Sequence, residues 1–167
     1  MRKMAARRAM YTFTRKGCHK GFYNDSNPIE SLRSIDYYNF MGLPDDEDNP
    51  YSSACELLCG SCDRFAIALN KVLGYNPYIV ESVEEPHFHA FCQVYKDRRL
   101  YYVDARGITS SFDEFMEIAG RFASGEFIIR PVTSIDIEQW ENDGYYVDEG
   151  NAFAEALIHR YKECYTL

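Results

Sequence analysis

The chain has 167 residues, fourteen of them Tyr and eleven Phe, so it is long enough for one domain with a sizeable core and too aromatic for bulk disorder. Its net charge of −8 hides an asymmetry: residues 1–20 hold seven Lys/Arg and no Asp/Glu, while the remainder holds eleven against twenty-six. The acidic body argues against general nucleic-acid binding, and no apolar run reaches the length of a membrane span. Ala5-Ala6-Arg7-Arg8 stand where a secretory signal would carry its apolar stretch. Six cysteines without such a signal are expected to be free thiols in the cytoplasm.

In chain order, residues 1–27 are basic and then turn-rich and are expected to form a partly flexible N-terminal segment. Residues 28–167 are expected to form a single α+β domain. Asn27-Pro28 is a cap followed by a first-turn proline, and predicts a helix to about Phe40 that buries Ile29, Leu32, Ile35 and Tyr38 or Tyr37. Gly42 to Pro50 is an acidic loop without the alternating spacing of a calcium loop. Ser52 or Ser53 can cap a short turn over Cys55–Leu58, which leads into a helix over 61–73. In that helix Phe65, Ala66, Leu69, Val72 and Leu73 recur at three- and four-residue spacing, and Gly74 ends it. Pro77–Val83, Phe88–Tyr95 and Leu100–Asp104 read as strands, the last two joined in a hairpin by Lys96-Asp97-Arg98. Ser111 and Glu114 make a capping box for a helix through Phe122. Phe127–Pro131 reads as a strand, Ile135–Trp140 as a short helix or turn and Ala152–Tyr161 as a final helix. There is no internal repeat and no low-complexity tract.

The chemistry concentrates on three residues. Cys62 opens its helix, where free N–H groups and the macrodipole are expected to lower the thiol pKa and favour the nucleophilic thiolate. His89 and Asp104 fall on neighbouring strands of the hairpin, so their side chains can meet across the ladder. A helix start packed over that pair would bring the base to the sulfur and an acceptor to the base. His87 shares the strand face by period two, but His89 lies deeper in the strand and is preferred.

Gly60-Ser61-Cys62-x-x-Phe65-Ala66, then His89-Ala90-Phe91, then Tyr102-Val103-Asp104-Ala105, resembles the transglutaminase-like core of the papain-like cysteine hydrolase superfamily. The likeness spans roughly residues 55–107 and departs from the common pattern at Phe91 and Tyr102, where tryptophan is often seen. The resemblance implies a cysteine-bearing helix packed on a small antiparallel sheet with further helices around it. It implies Cys62 as nucleophile, His89 as general base and Asp104 as orienting acid. It also implies a thiol-dependent hydrolase or acyltransferase (a protease, glutamine deamidase or transglutaminase-type enzyme) that needs no cofactor and acts on a protein or peptide. The backbone N–H of Cys62 would meet the oxyanion, with Ser61, Asn49 or a main-chain group as second donor.

Other readings use the same residues. Cys55-x3-Cys59-x2-Cys62 has the spacing of an iron–sulfur site, without the glycine-rich segment or alternating β/α run that would accompany it. Cys59, Cys62, His87 and His89 could converge on zinc. Cys55 and Cys59 also fit as small buried residues one turn apart. A non-catalytic acidic binding or inhibitor protein is the alternative from a different class, its paired tyrosines forming a contact surface.

Overall fold

A computed structural model describes residues 19–123 and 125–167. The basic start of the chain and Cys18 lie outside the described residues. The strands are β1 (His19–Gly21), β2 (Asn76–Ser82), β3 (Phe88–Lys96), β4 (Arg99–Asp104), β5 (Gly107–Thr109) and β6 (Phe127–Pro131). The helices are α1 (Pro28–Arg33), α2 (Tyr37–Met41), α3 (Cys62–Leu73), α4 (Phe112–Phe122), α5 (Ser134–Asp143), α6 (Val147–Arg160) and α7 (Lys162–Tyr165). The six strands form one sheet in the order β1-β5-β4-β3-β2-β6, every neighbouring pair antiparallel. The domain is therefore α+β, with helices packed around a single antiparallel sheet. Among the described residues no helix is long and apolar enough to cross a membrane.

Strand alternation sorts the core onto two faces. Ile79, Ala90, Cys92 and Val103 pack with Phe65, Ala66 and Leu69 of α3 and with Phe153 and Leu157 of α6. Val80 and Phe91 pack on the other face with Phe115 and Ala119 of α4, joined by Tyr78 and Tyr102. Each of these fully buried large side chains contributes about 1.5–3 kcal/mol. The β3–β4 hairpin turns at Asp97 (φ 52°) and Arg98 (φ 61°), two successive left-handed residues whose twist matches that of the strands.

The helix expected from Pro28 to about Phe40 is two helices. Ser34 closes α1, and Asp36 turns outward to cap α2 by accepting from Asn39 N–H at 2.8 Å. Asp36 also bridges to Ser53, which fixes the break against the turn that precedes α3. The sheet takes in β1, whose residues the sequence placed in the N-terminal segment. β1 pairs with β5 through a close approach at Gly107 (φ 119°), where a Cβ would meet the Lys20 carbonyl.

Candidate active site

α3 begins at Cys62, one residue after Ser61, and packs lengthwise on β3. Cys62 is 8% exposed and belongs to the core on the Ala90 face. Its Sγ accepts the main-chain N–H of Ala90 at 3.3 Å. The sulfur thus sits against the backbone of β3, one residue beyond His89.

His89 is fully buried and projects toward α4, stacked on Phe122 (5.8 Å, 13°) and tilted against Phe115. Its Nε2 meets Asp104 Oδ2 at 3.1 Å, so the cross-strand pair expected from the hairpin is formed. Asp104 is a hydrogen-bond acceptor, so in the tautomer this bond selects the hydrogen is on Nε2 and the lone pair on Nδ1. That Nδ1 is buried and has no hydrogen-bond partner. An unpaired buried polar atom costs about 1–3 kcal/mol. Such a cost is commonly tolerated where the atom has chemistry to do.

Arg106, which the sequence reading missed, completes this buried group. Its Nη2 reaches Asp104 Oδ2 at 2.7 Å, its Nε lies 3.1 and 3.2 Å from the two carboxylate oxygens, and its main-chain N–H donates to Oδ1 at 2.9 Å. The guanidinium also donates to the carbonyls of Glu114 and Phe115 on α4 and lies 4.8 Å from the Tyr23 ring centroid. Burial alone would raise the Asp104 carboxyl. The Arg106 charge and the hydrogen bonds from His89 and Arg106 outweigh it and hold the group well below the usual carboxylate range. The only sequence signal was the spacing: Asp104 and Arg106 are two apart at a strand end, where side chains share a face.

Two expectations about Cys62 need correction. Burial pushes its thiol up to about 12, against the lowering hydrogen bonds from the Ala90 and Asp63 N–H groups. The helix start is therefore real, but desolvation outweighs it, and the resting sulfur is a thiol. Nor does a hydrogen bond join Cys62 to His89: Sγ is held by Ala90, and His89 makes its single bond to Asp104. Residues 89 and 90 point to opposite faces of β3, so the helix start meets the strand backbone first, not the imidazole.

Around the helix start, the Ser61 hydroxyl meets Tyr51 OH at 3.1 Å, while Asn49 Oδ1 accepts from the Tyr51 N–H. The Asn49 side-chain oxygen is thereby engaged in its own turn, and Ser61 directly precedes Cys62 in the chain. The other thiols differ in setting. Cys59 is exposed, and burial of its sulfur still raises it to about 11. The five described cysteines are all free.

The zinc arrangement is not formed. His87 is exposed beside Glu85 at 2.9 Å, His89 is on Asp104, and no cluster of three or more metal-ligating side chains occurs among the described residues. A cavity of about 280 Å3 lies on the α4 side, lined by Tyr23, Arg106, Glu117 and Arg121. Its lining includes Arg106 but neither Asp104 nor Cys62. A scan against protein-family models, a search of curated proteins and a search of solved structures each found no match.

Proposed function

We propose that the protein is a thiol-dependent hydrolase or acyltransferase of papain-like, transglutaminase-like type, acting on an amide or acyl group of a protein or peptide. The observation that carries this reading is the buried imidazole: Nε2 is fixed on a carboxylate, Nδ1 is free, and the next residue holds the Cys62 sulfur by its N–H. That tautomer is the one a base needs to take a proton at Nδ1. Cys62 Sγ–H gives its proton to Nδ1 as the sulfur adds to the substrate carbonyl. The tetrahedral oxyanion is met by main-chain N–H groups at the start of α3, with the Ser61 hydroxyl as second donor. The C–N or C–O bond then breaks as His89 returns the proton to the leaving group. Water or an amine resolves the thioester. The first step requires a rearrangement at the start of α3 that brings the Cys62 sulfur from the Ala90 face of β3 to the His89 imidazole, which faces α4.

An activated ester tests this without knowledge of the natural substrate. On mixing with p-nitrophenyl acetate, a stoichiometric burst of p-nitrophenolate is expected, with the acetyl group on the Cys62 peptide by mass spectrometry. His89→Ala should slow that acylation by at least about 10²-fold. Acetylation of exposed Cys59 in place of Cys62, or acylation of Cys62 at the parent rate in His89→Ala, would overturn the assignment.

A further inference from the structure

The opposite border of the sheet has a different character from its centre. β6 is an edge strand, paired with β2 on one side only. Natural edges are usually blunted by charge, proline or a covering element, because a bare edge recruits other strands. Here Phe127 is 37% exposed and Ile128 46%, and Val83 beside them is 55% exposed. Only Arg130 and Pro131 at the far end follow the usual pattern.

The register says which main-chain groups are open. Val83 N–H donates to Glu126 O and Val132 N–H to Pro77 O, so residues 126, 128, 130 and 132 turn their backbone toward β2. Phe127 and Ile129 consequently present N–H and C=O outward, and no backbone hydrogen bond reaches these groups among the described residues. Pro131 lacks an N–H, and its carbonyl is taken by Arg130 Nη1. The outward ladder is therefore two residues long, matching a short extended segment.

The surroundings set the sign of the partner. Segments 82–87 and 126–149 hold nine Asp/Glu and a single Lys/Arg. That one cation, Arg130, is already shared between Glu81 and Asp136. Glu84, Glu85, Glu126 and Glu138 are all exposed.

We propose that the outer edge of β6 docks an extended, basic and partly apolar stretch of a partner polypeptide, which joins the sheet as a seventh strand. Main-chain pairing to Phe127 and Ile129 supplies affinity. Phe127, Ile128 and Val83 take alternate side chains, and the acidic rim selects lysine and arginine. The added strand would lie beyond β2 and β6 from Ala90, on the order of 14 Å from β3 at one strand spacing each. It does not depend on the chemistry at Cys62, and so stands or falls separately from it.

The test uses the full chain and three labelled octapeptides. One is basic with alternating Lys and Val/Thr, one replaces each Lys with Glu, and one is basic with a central Pro. Fluorescence anisotropy should show the basic peptide binding, more weakly at high salt, and the other two at least tenfold weaker. Amide exchange at Phe127 and Ile129 should slow on binding. Phe127→Pro removes one outward N–H and no bond to β2, so it should weaken binding about tenfold while leaving the thermal midpoint close to the parent. The pair Glu126→Lys and Glu138→Lys, both exposed, should weaken it without touching the ladder. The proposal is overturned if the Glu peptide binds equally well, or if protection maps elsewhere. It is also overturned if Phe127 and Ile129 are already protected in the free protein, because another part of this chain or a second copy then owns the edge.

Discussion

Arg106→Met isolates the electrostatics of the buried corner. In the parent, Asp104 is neutralised by a guanidinium that itself hangs from two carbonyls of α4. The variant keeps the hydrophobic stem but leaves a buried carboxylate with only His89 and a main-chain N–H as donors, and strands the Glu114 and Phe115 carbonyls. Removing one partner of such a pair costs about 3–5 kcal/mol. Urea unfolding at pH 7 should show a loss of that size in Arg106→Met, and a smaller one when Asp104→Asn is added, because the uncompensated charge is the main cost. The pH dependence has a definite sign. In the parent the carboxyl is held below its unfolded value, so its contribution is present above about pH 3.9 and is lost as pH falls below that. In the variant, burial is opposed only by His89 and the main-chain N–H, so protonation relieves the site from a higher pH than in the parent. The gap between parent and variant should therefore narrow between pH 7 and pH 4. A loss under about 1 kcal/mol, or a gap indifferent to both pH and Asp104→Asn, would refute the reasoning.

Three further outcomes are expected. The Cys62 thiol is raised in the folded state, so its contribution is intact below about pH 8.5 and is lost as pH rises toward 12. The stability difference between parent and Cys62→Ala should shift against the parent by up to about 1.4 kcal/mol per pH unit in that window. A flat difference would mean that the sulfur is solvated. Asp104→Asn should leave far-UV circular dichroism unchanged yet slow the acyl-transfer step by about 10⁴-fold, since the imidazole loses its fixed tautomer; parent-like turnover would demote Asp104 to a structural role. Gly107→Ala should lower the thermal midpoint by several degrees, because the new Cβ collides with the Lys20 carbonyl at a left-handed position. An unchanged midpoint would show that β1 contributes nothing to stability.

What was readable in the sequence depended on how local its cause was. The α3 stripe, its stop at Gly74 and the Phe88–Asp104 hairpin follow from periodicity and turn chemistry within a few residues, and the structure has them within one or two positions. The break between α1 and α2 was missed because Asp36 reads equally well as a mid-helix polar residue. Its bridge to Ser53, seventeen positions away, decides the matter. β1 and β5 are three residues each, too short for any alternation, and their glycines look like turn formers until the close approach of the two backbones is seen. At the site, His89 and Asp104 were legible as cross-strand neighbours. The ionisation of Cys62 was not, because depth of burial is set by elements distant in the chain. Arg106 was overlooked for a related reason: its anchors lie eight and nine residues on, in α4.

The hydroxyl of Tyr165 donates to the Ala105 carbonyl across sixty residues, and Tyr75 OH holds the Tyr165 carbonyl. α7 thereby clamps the short connection between Asp104 and Arg106, while β1 closes the neighbouring strand from the other direction. The last residues of the described chain are thus a brace for the corner that orients His89, although none of them touches Cys62, His89 or Asp104 by a side-chain bond. Truncation after Tyr161 is accordingly expected to loosen that corner while leaving all three of those residues in the chain.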